Sequence, residues 1–340
     1  MHHHINWGDM VLKLSNFLAL GFSITFMLII NNIQLGTLTI MGSIFFYYYV
    51  PQQNKAGIKT TILASMMGII AYVLVSFSTL IPWLTPLVLS LICGISYFYS
   101  KMWRLVGPGP FFLVMISCIA GVHSFINLQV TFVSILFLLM GCSIAILLAI
   151  VNDWLLDRLK YPKLKDNTAI FTLKIPQIPV EILFKSFFYG GLIFLTFYIG
   201  ENLKLFNYYW IVLSCASILQ AESKSHAIKR HQHYILGTII GCLISYLLLS
   251  LPLTLTTTII LLIIFHSLVY WKIKTNFLVG NFFTTPMAIL VVKLNYATLN
   301  STAIWSRFIA IVIGTSIALL SIYLFNYLKS KCITPNQKLN

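Results

Sequence analysis

Apolar residues come in blocks of about twenty, separated by short polar turns, from Val11 almost to the C-terminus. A helix rising 1.5 Å per residue needs about twenty residues to cross the roughly 30 Å hydrocarbon layer of a bilayer, so each block has the length of a span. The blocks fall at 11-31, 34-50, 58-78, 82-100, 109-126, 130-151, 182-200, 207-220, 234-251, 254-271, 277-293 and 303-327. The pattern predicts an all-α polytopic membrane protein of about twelve transmembrane helices. The first block is too long for the apolar region of a signal peptide, lacks a small-residue cleavage site and runs straight into the next block, so it is expected to remain as the first span.

Composition agrees with this reading. Hydrophobic residues make up 59% and charged residues 9% of the 340, at a mean hydropathy of +0.91, well above the 45–50% apolar content of soluble domains. No sizeable soluble domain fits beside the spans.

The net charge of +15 raises nucleic acid as a partner, and the placement of the charges argues against it. Threading the twelve blocks puts Lys13, Lys55, Lys59, Lys101, Arg104, Arg158, Lys160, Lys163, Lys165, Lys174, Lys185, Lys224, Lys229, Arg230, Lys272, Lys274, Lys329, Lys331 and Lys338 on one side, and only Lys204, Lys293 and Arg307 on the other. The positive-inside rule makes the first side cytoplasmic and places both termini there, as expected of a multi-pass protein of the cell (inner) membrane. Dropping or adding one span would scatter these residues over both faces. Their expected partners are anionic lipid headgroups and an anionic small molecule, with no nucleic acid. The sequence leaves a homo-oligomer open.

The longest polar stretch, 152-181, divides the chain into an N-terminal six-span unit at 1-151 and a C-terminal one at 182-328, followed by a cytoplasmic tail at 329-340. The opening of that linker, Asp153 to Leu159, reads either as a short amphipathic helix on the inner headgroups, anchored by Trp154, or as a solvated segment. The two units echo one another. Gly141-Cys142-Ser143-Ile144-Ala145 recurs as Gly314-Thr315-Ser316-Ile317-Ala318, and Lys101 with Val106-Gly107 recurs as Lys274 with Val279-Gly280, both at an offset of 173 residues. Phe111-Phe112 and Phe282-Phe283 lie at nearly the same offset. Even span numbers give the copies one direction, hence two parallel six-span repeats related by an axis along the membrane normal.

Enzyme chemistry is not expected. Asp9, Asp153, Asp157, Asp166, Glu181, Glu201 and Glu222 form no pair inside an apolar block, and there is no P-loop, nucleophile elbow or zinc-protease motif. Cys93, Cys118, Cys142, Cys215, Cys242 and Cys332 follow no metal spacing and read as packing residues, and His2 to His4 carry no assigned role; no metal or cofactor is implied.

Charge inside an apolar block is costly and therefore informative. His123, Lys293 and Arg307 fall near outer span ends and His266 near an inner one. Lys293 reads as a snorkelling cation, while Arg307 has no acid nearby in sequence and either snorkels or faces an anion. His266 reads as a hydrogen-bonded packing residue or a proton relay. Lys229 and Arg230 form the densest basic pair, just before Gly237-Thr238-x-x-Gly241, whose spacing permits close helix approach. The repeated Gly141 and Gly314 are the other expected packing positions.

Tyr208-Tyr209-Trp210, an apolar span, Gln220, the basic stretch ending in Lys229-Arg230, and Gly237-Thr238-x-x-Gly241, together with Trp305-x-Arg307 followed by Gly314, resemble the fusaric acid resistance family, also called the aromatic acid exporter family. The resemblance covers about 205-325; Tyr234 and Ala310 stand where members commonly carry Arg and Asp. It implies export of aromatic or other hydrophobic carboxylates, driven by the proton gradient, with a passive anion channel of related architecture or a non-transporting scaffold subunit as alternatives. Arg307, Lys229, Arg230, Trp210, Gln220 and His266 are the residues expected to meet substrate.

Overall fold

The computed structural model describes residues 7–103, 105, 107–122, 127–165, 179–221, 223–273, 275–296 and 301–333. His2 to His4, Arg104, Val106, His123, Asp166, Lys174, Glu222, Lys274 and Lys338 lie outside them. The described chain is helical: α1 (Trp7–Ile30), α2 (Ile33–Ser43), α3 (Ala56–Ser78), α4 (Thr85–Met102), α5 (Phe111–Val122), α6 (Leu128–Arg158), α7 (Val180–Leu203), α8 (Tyr209–Leu219), α9 (Lys224–Leu249), α10 (Leu255–Lys272), α11 (Phe277–Asn295) and α12 (Thr302–Ile333). Each sits on one of the apolar blocks. Helix starts coincide with side chains suited to satisfy a free backbone N–H: Asn32 caps Leu35, Asn127 caps Val130, Ser223 caps His226, Thr254 caps Thr257 and Asn276 caps Val279.

Nine of the described helices are long and apolar enough to cross a membrane. Three are shorter: α5, α8, and α2 with the 3-10 turn that continues it to Tyr48. The short ones are the innermost. In α8 nine of eleven residues are buried, as a helix apolar on every side must be. The long helices turn bulky apolar side chains outward, Phe187 at 82%, Ile29 at 75% and Leu247 at 65% exposure. Such a surface suits lipid as the surrounding solvent. Hydroxyls within the bundle donate back to their own helices, Thr61 to Gly57 O, Ser117 to Leu113 O, Thr196 to Leu192 O and Thr315 to Ile311 O, so they need no water.

Three helix pairings within α1–α6 have counterparts within α7–α12. Helix α2 lies on α6 as α8 lies on α12, α3 on α5 as α9 on α11, and α3 on α6 as α9 on α12. The halves meet through α4 with α7 and α1 with α10, and through α5 with α8 and α2 with α11. Gly141 and Gly314 occupy matching places. A Cβ at Gly141 would overlap the Thr39 carbonyl of α2, and one at Gly314 would overlap the Ile211 carbonyl of α8. Beside each glycine a hydroxyl of the short helix donates to a carbonyl of the long one, Thr39 Oγ1 to Phe137 O and Ser214 Oγ to Ala310 O, both at 3.2 Å. On α9, Gly237 and Gly241 are buried against Asn281 and Thr285 of α11, and Thr238 donates to Tyr234 O.

The start of the linker departs from both sequence readings. Asp153 to Arg158 are the last turns of α6, neither a separate surface helix nor a solvated strand of linker. Asp153 is 2% exposed, pairs with Lys163 at 2.9 Å and accepts a hydrogen bond from Tyr49 Oη at 3.2 Å. Asn152 beside it accepts from Ser15 of α1. The chain then returns to the first half, where Leu164 exchanges backbone hydrogen bonds with Pro51 and Gln53.

Candidate anion site

Arg307 lies in the second turn of α12 and is 4% exposed. Its guanidinium carbon sits 4.8 Å from the centroid of the Trp210 ring, itself 2% exposed and the second residue of α8. Tyr209 and Cys242 are close enough to interact with the charge. The position of Trp210 follows from the helix crossing already described, since Gly314 lets α12 close on Ile211 and Ser214. Two sequence candidates from opposite ends of the second half are thereby brought face to face.

The electrostatics of this pair are incomplete. Removing a guanidinium from water costs several kcal/mol unless it is paired and hydrogen-bonded, and an indole face returns about 2 kcal/mol. Arg307 makes no ion pair among the described residues, and its buried Nε has no hydrogen-bond partner there. The N-terminal end of α8 adds the positive end of a helix dipole. A carboxylate, whose two oxygens match the guanidinium fork, supplies what the site lacks.

The other sequence candidates lie apart from this pair. Gln220 closes the opposite end of α8, with its Nε2 buried and unpartnered among the described residues. Lys229 is exposed on α9, and Arg230 lies over the Phe277 ring at 4.5 Å. His266 is buried in α10 with Nε2 3.5 Å from Tyr47 Oη.

Comparison with known proteins bears on this half. Residues 192–321 match the family model described as fusaric acid resistance protein-like. That stretch of the chain is similar to the family. The fusaric acid resistance-like stretch runs from within α7 to within α12 and contains all six residues singled out for substrate, together with Gly237, Thr238, Gly241 and Gly314. No curated protein and no solved structure matches the chain.

Two features escaped the sequence reading. Helices α4 and α7 touch through small residues: a Cβ at Gly94 would stand 3.1 Å from Ser186 O, and one at Gly190 2.9 Å from Ser90 O. Ser-x-x-x-Gly spacing on both helices was the available signal. A cavity of about 490 Å³ opens at one end of this seam, lined by Lys101, Lys185, Lys224, Tyr189, Phe188 and Phe325 among others. Arg307 takes no part in it.

Proposed function

We propose that this membrane protein exports organic anions, aromatic or hydrophobic carboxylates, from the cytoplasm. The observation that carries the proposal is a buried arginine, without an acidic partner among the described residues, resting on a buried indole: Arg307 on Trp210. The guanidinium fixes the carboxylate and the aromatic neighbours accept an apolar body. The similarity of residues 192–321 to the fusaric acid resistance protein-like family supports the transport class.

In this reading both termini and the linker face the cytoplasm, and the halves are parallel repeats of six spans. The matched glycine crossings and their paired hydroxyl contacts support the repeat, because a chance echo of five residues would not carry the same partner helix with it. The Arg307 site belongs to one copy only, since Ser134 stands at the equivalent position of the first. Proton coupling falls on His266 with Tyr47, the buried titratable contact of α10. Passive conduction is the second reading, favoured by the place of the described acids at helix ends rather than within helices.

The test is purified protein in liposomes, loaded with a panel of aromatic carboxylates, with and without a pH gradient. Flux that needs the protein and is lost in Arg307→Lys supports the proposal, and dependence on the gradient separates exporter from channel. No flux of any organic anion from correctly folded protein overturns it.

A further inference from the structure

The cavity at the α4–α7 seam asks for an occupant of its own. Three lysines reach it from three directions: Lys101 from the end of α4, Lys185 from the start of α7 and Lys224 from the start of α9. Lys185 pairs with Glu181 at 2.8 Å. Lys101 and Lys224 have only aromatic faces, Tyr97 at 5.7 Å and Tyr323 at 3.8 Å, and no acidic partner among the described residues. Tyr189 lines the same cavity, stacked on Tyr97 at 4.7 Å, and its buried hydroxyl has no hydrogen-bond partner among the described residues. The site therefore offers a hydroxyl donor, and positive charge without an acidic partner among the described residues, to something anionic.

The walls say what kind of anion. Phe188 and Phe325 close one side with ring centroids 5.4 Å apart. Beyond them, Leu183, Phe184 and Phe187 of α7 and Leu91 and Ile95 of α4 are exposed by 52% or more, forming an apolar surface that continues from the cavity toward the lipid-facing side. We infer that this cavity binds the headgroup of an anionic phospholipid, its phosphate among the lysines and Tyr189 and its acyl chains along α4 and α7. Basic pockets between spans are suited to such headgroups, each cation near the phosphate strengthening binding. The lipid would bridge the two halves at the seam where Gly94 and Gly190 bring α4 and α7 together.

Purified protein in neutral detergent, titrated with phosphatidylglycerol, phosphatidylcholine, inorganic phosphate or benzoate, tests this by melting temperature and native mass spectrometry. Phosphatidylglycerol is expected to raise the melting temperature saturably and remain bound, with phosphatidylcholine inert. Lys101→Gln/Lys224→Gln and Tyr189→Phe should each weaken it about tenfold. Equal effects of both lipids, or an undiminished shift in both variants, overturn the inference. Inorganic phosphate matching the anionic lipid makes it a free-anion site, and benzoate displacing the lipid makes it a cargo site; either overturns it too. Should the variants fail to fold, a photoactivatable phosphatidylglycerol on the unaltered protein must label 182–189, 219–224 or 322–325, and labelling elsewhere alone is equally fatal. Arg307→Lys should keep lipid binding, so failure of the transport reading and failure of this one are distinguishable.

Discussion

Arg307 and Trp210, on α12 and α8, meet as a cation over an indole at 4.8 Å. If that guanidinium holds a carboxylate, Arg307→Lys should lower liposome transport by about tenfold or more at matched protein abundance, because an ammonium cannot make the planar two-point contact. A cation that only snorkels would tolerate the change, so unchanged flux removes Arg307 from the site.

Gly314 and Gly141 sit where any side chain meets a backbone carbonyl of the neighbouring short helix. Gly314→Val and Gly141→Val should each destabilise the bundle by about 1–3 kcal/mol, the usual cost of overpacking. Gly191, with nothing within 4 Å of its would-be Cβ, should accept Ala without loss. Melting in detergent ranks the three, and equal melting temperatures would contradict the crossing.

Lys163→Met leaves Asp153 buried without its cation and should cost about 3–5 kcal/mol, with much of it recovered in the Lys163→Met/Asp153→Asn double variant. A double variant no more stable than the single one would count against the pair. For Lys163, burial lowers the pKa, but hydrogen bonds to Asp157 and Asp153 outweigh it and the net shift is upward from 10.5. A raised lysine pKa contributes stability that is fully present below the unfolded value, about 10.4. It fades as pH rises through the folded one. Alkaline melting above that pH should therefore be steeper in the unaltered protein than in the double variant.

Single cysteines placed at positions 170 and 336 of a cysteine-free background should resist an impermeant thiol reagent in intact cells and react after permeabilisation. Labelling of either in intact cells would invert the proposed orientation.

Helix positions were legible because the apolar blocks carry local information, and the echo drew notice to Gly141 and Gly314, where the helices approach closely. Asp153 was misplaced because it was judged by its charge. The stripe of buried residues on α6, Leu138, Cys142, Ala145 and Ala149, continues with helical period through Asn152 and Asp153 to Leu156, and that period was the better guide. The union of Arg307 with Trp210 depends on how α8 packs on α12, and no one-dimensional pattern states it. The seam cavity was hidden for the same reason: its lysines come from three separate segments, each of which reads alone as a topology signal.

The shortness of α8 has an electrical meaning. Its eleven residues extend about 17 Å, against a hydrocarbon layer of about 30 Å, so in a bilayer its polar ends lie below the level of the headgroups. Where water follows those ends inward, the insulating layer is thinner than the membrane and the transmembrane voltage drops over that reduced distance. A unit charge crossing 100 mV exchanges about 2.3 kcal/mol whatever the path length. In the proposed topology an anion passing from the inner end of α8 to Arg307 would exchange most of it in one short step, and its flux would be sensitive to voltage as well as to concentration.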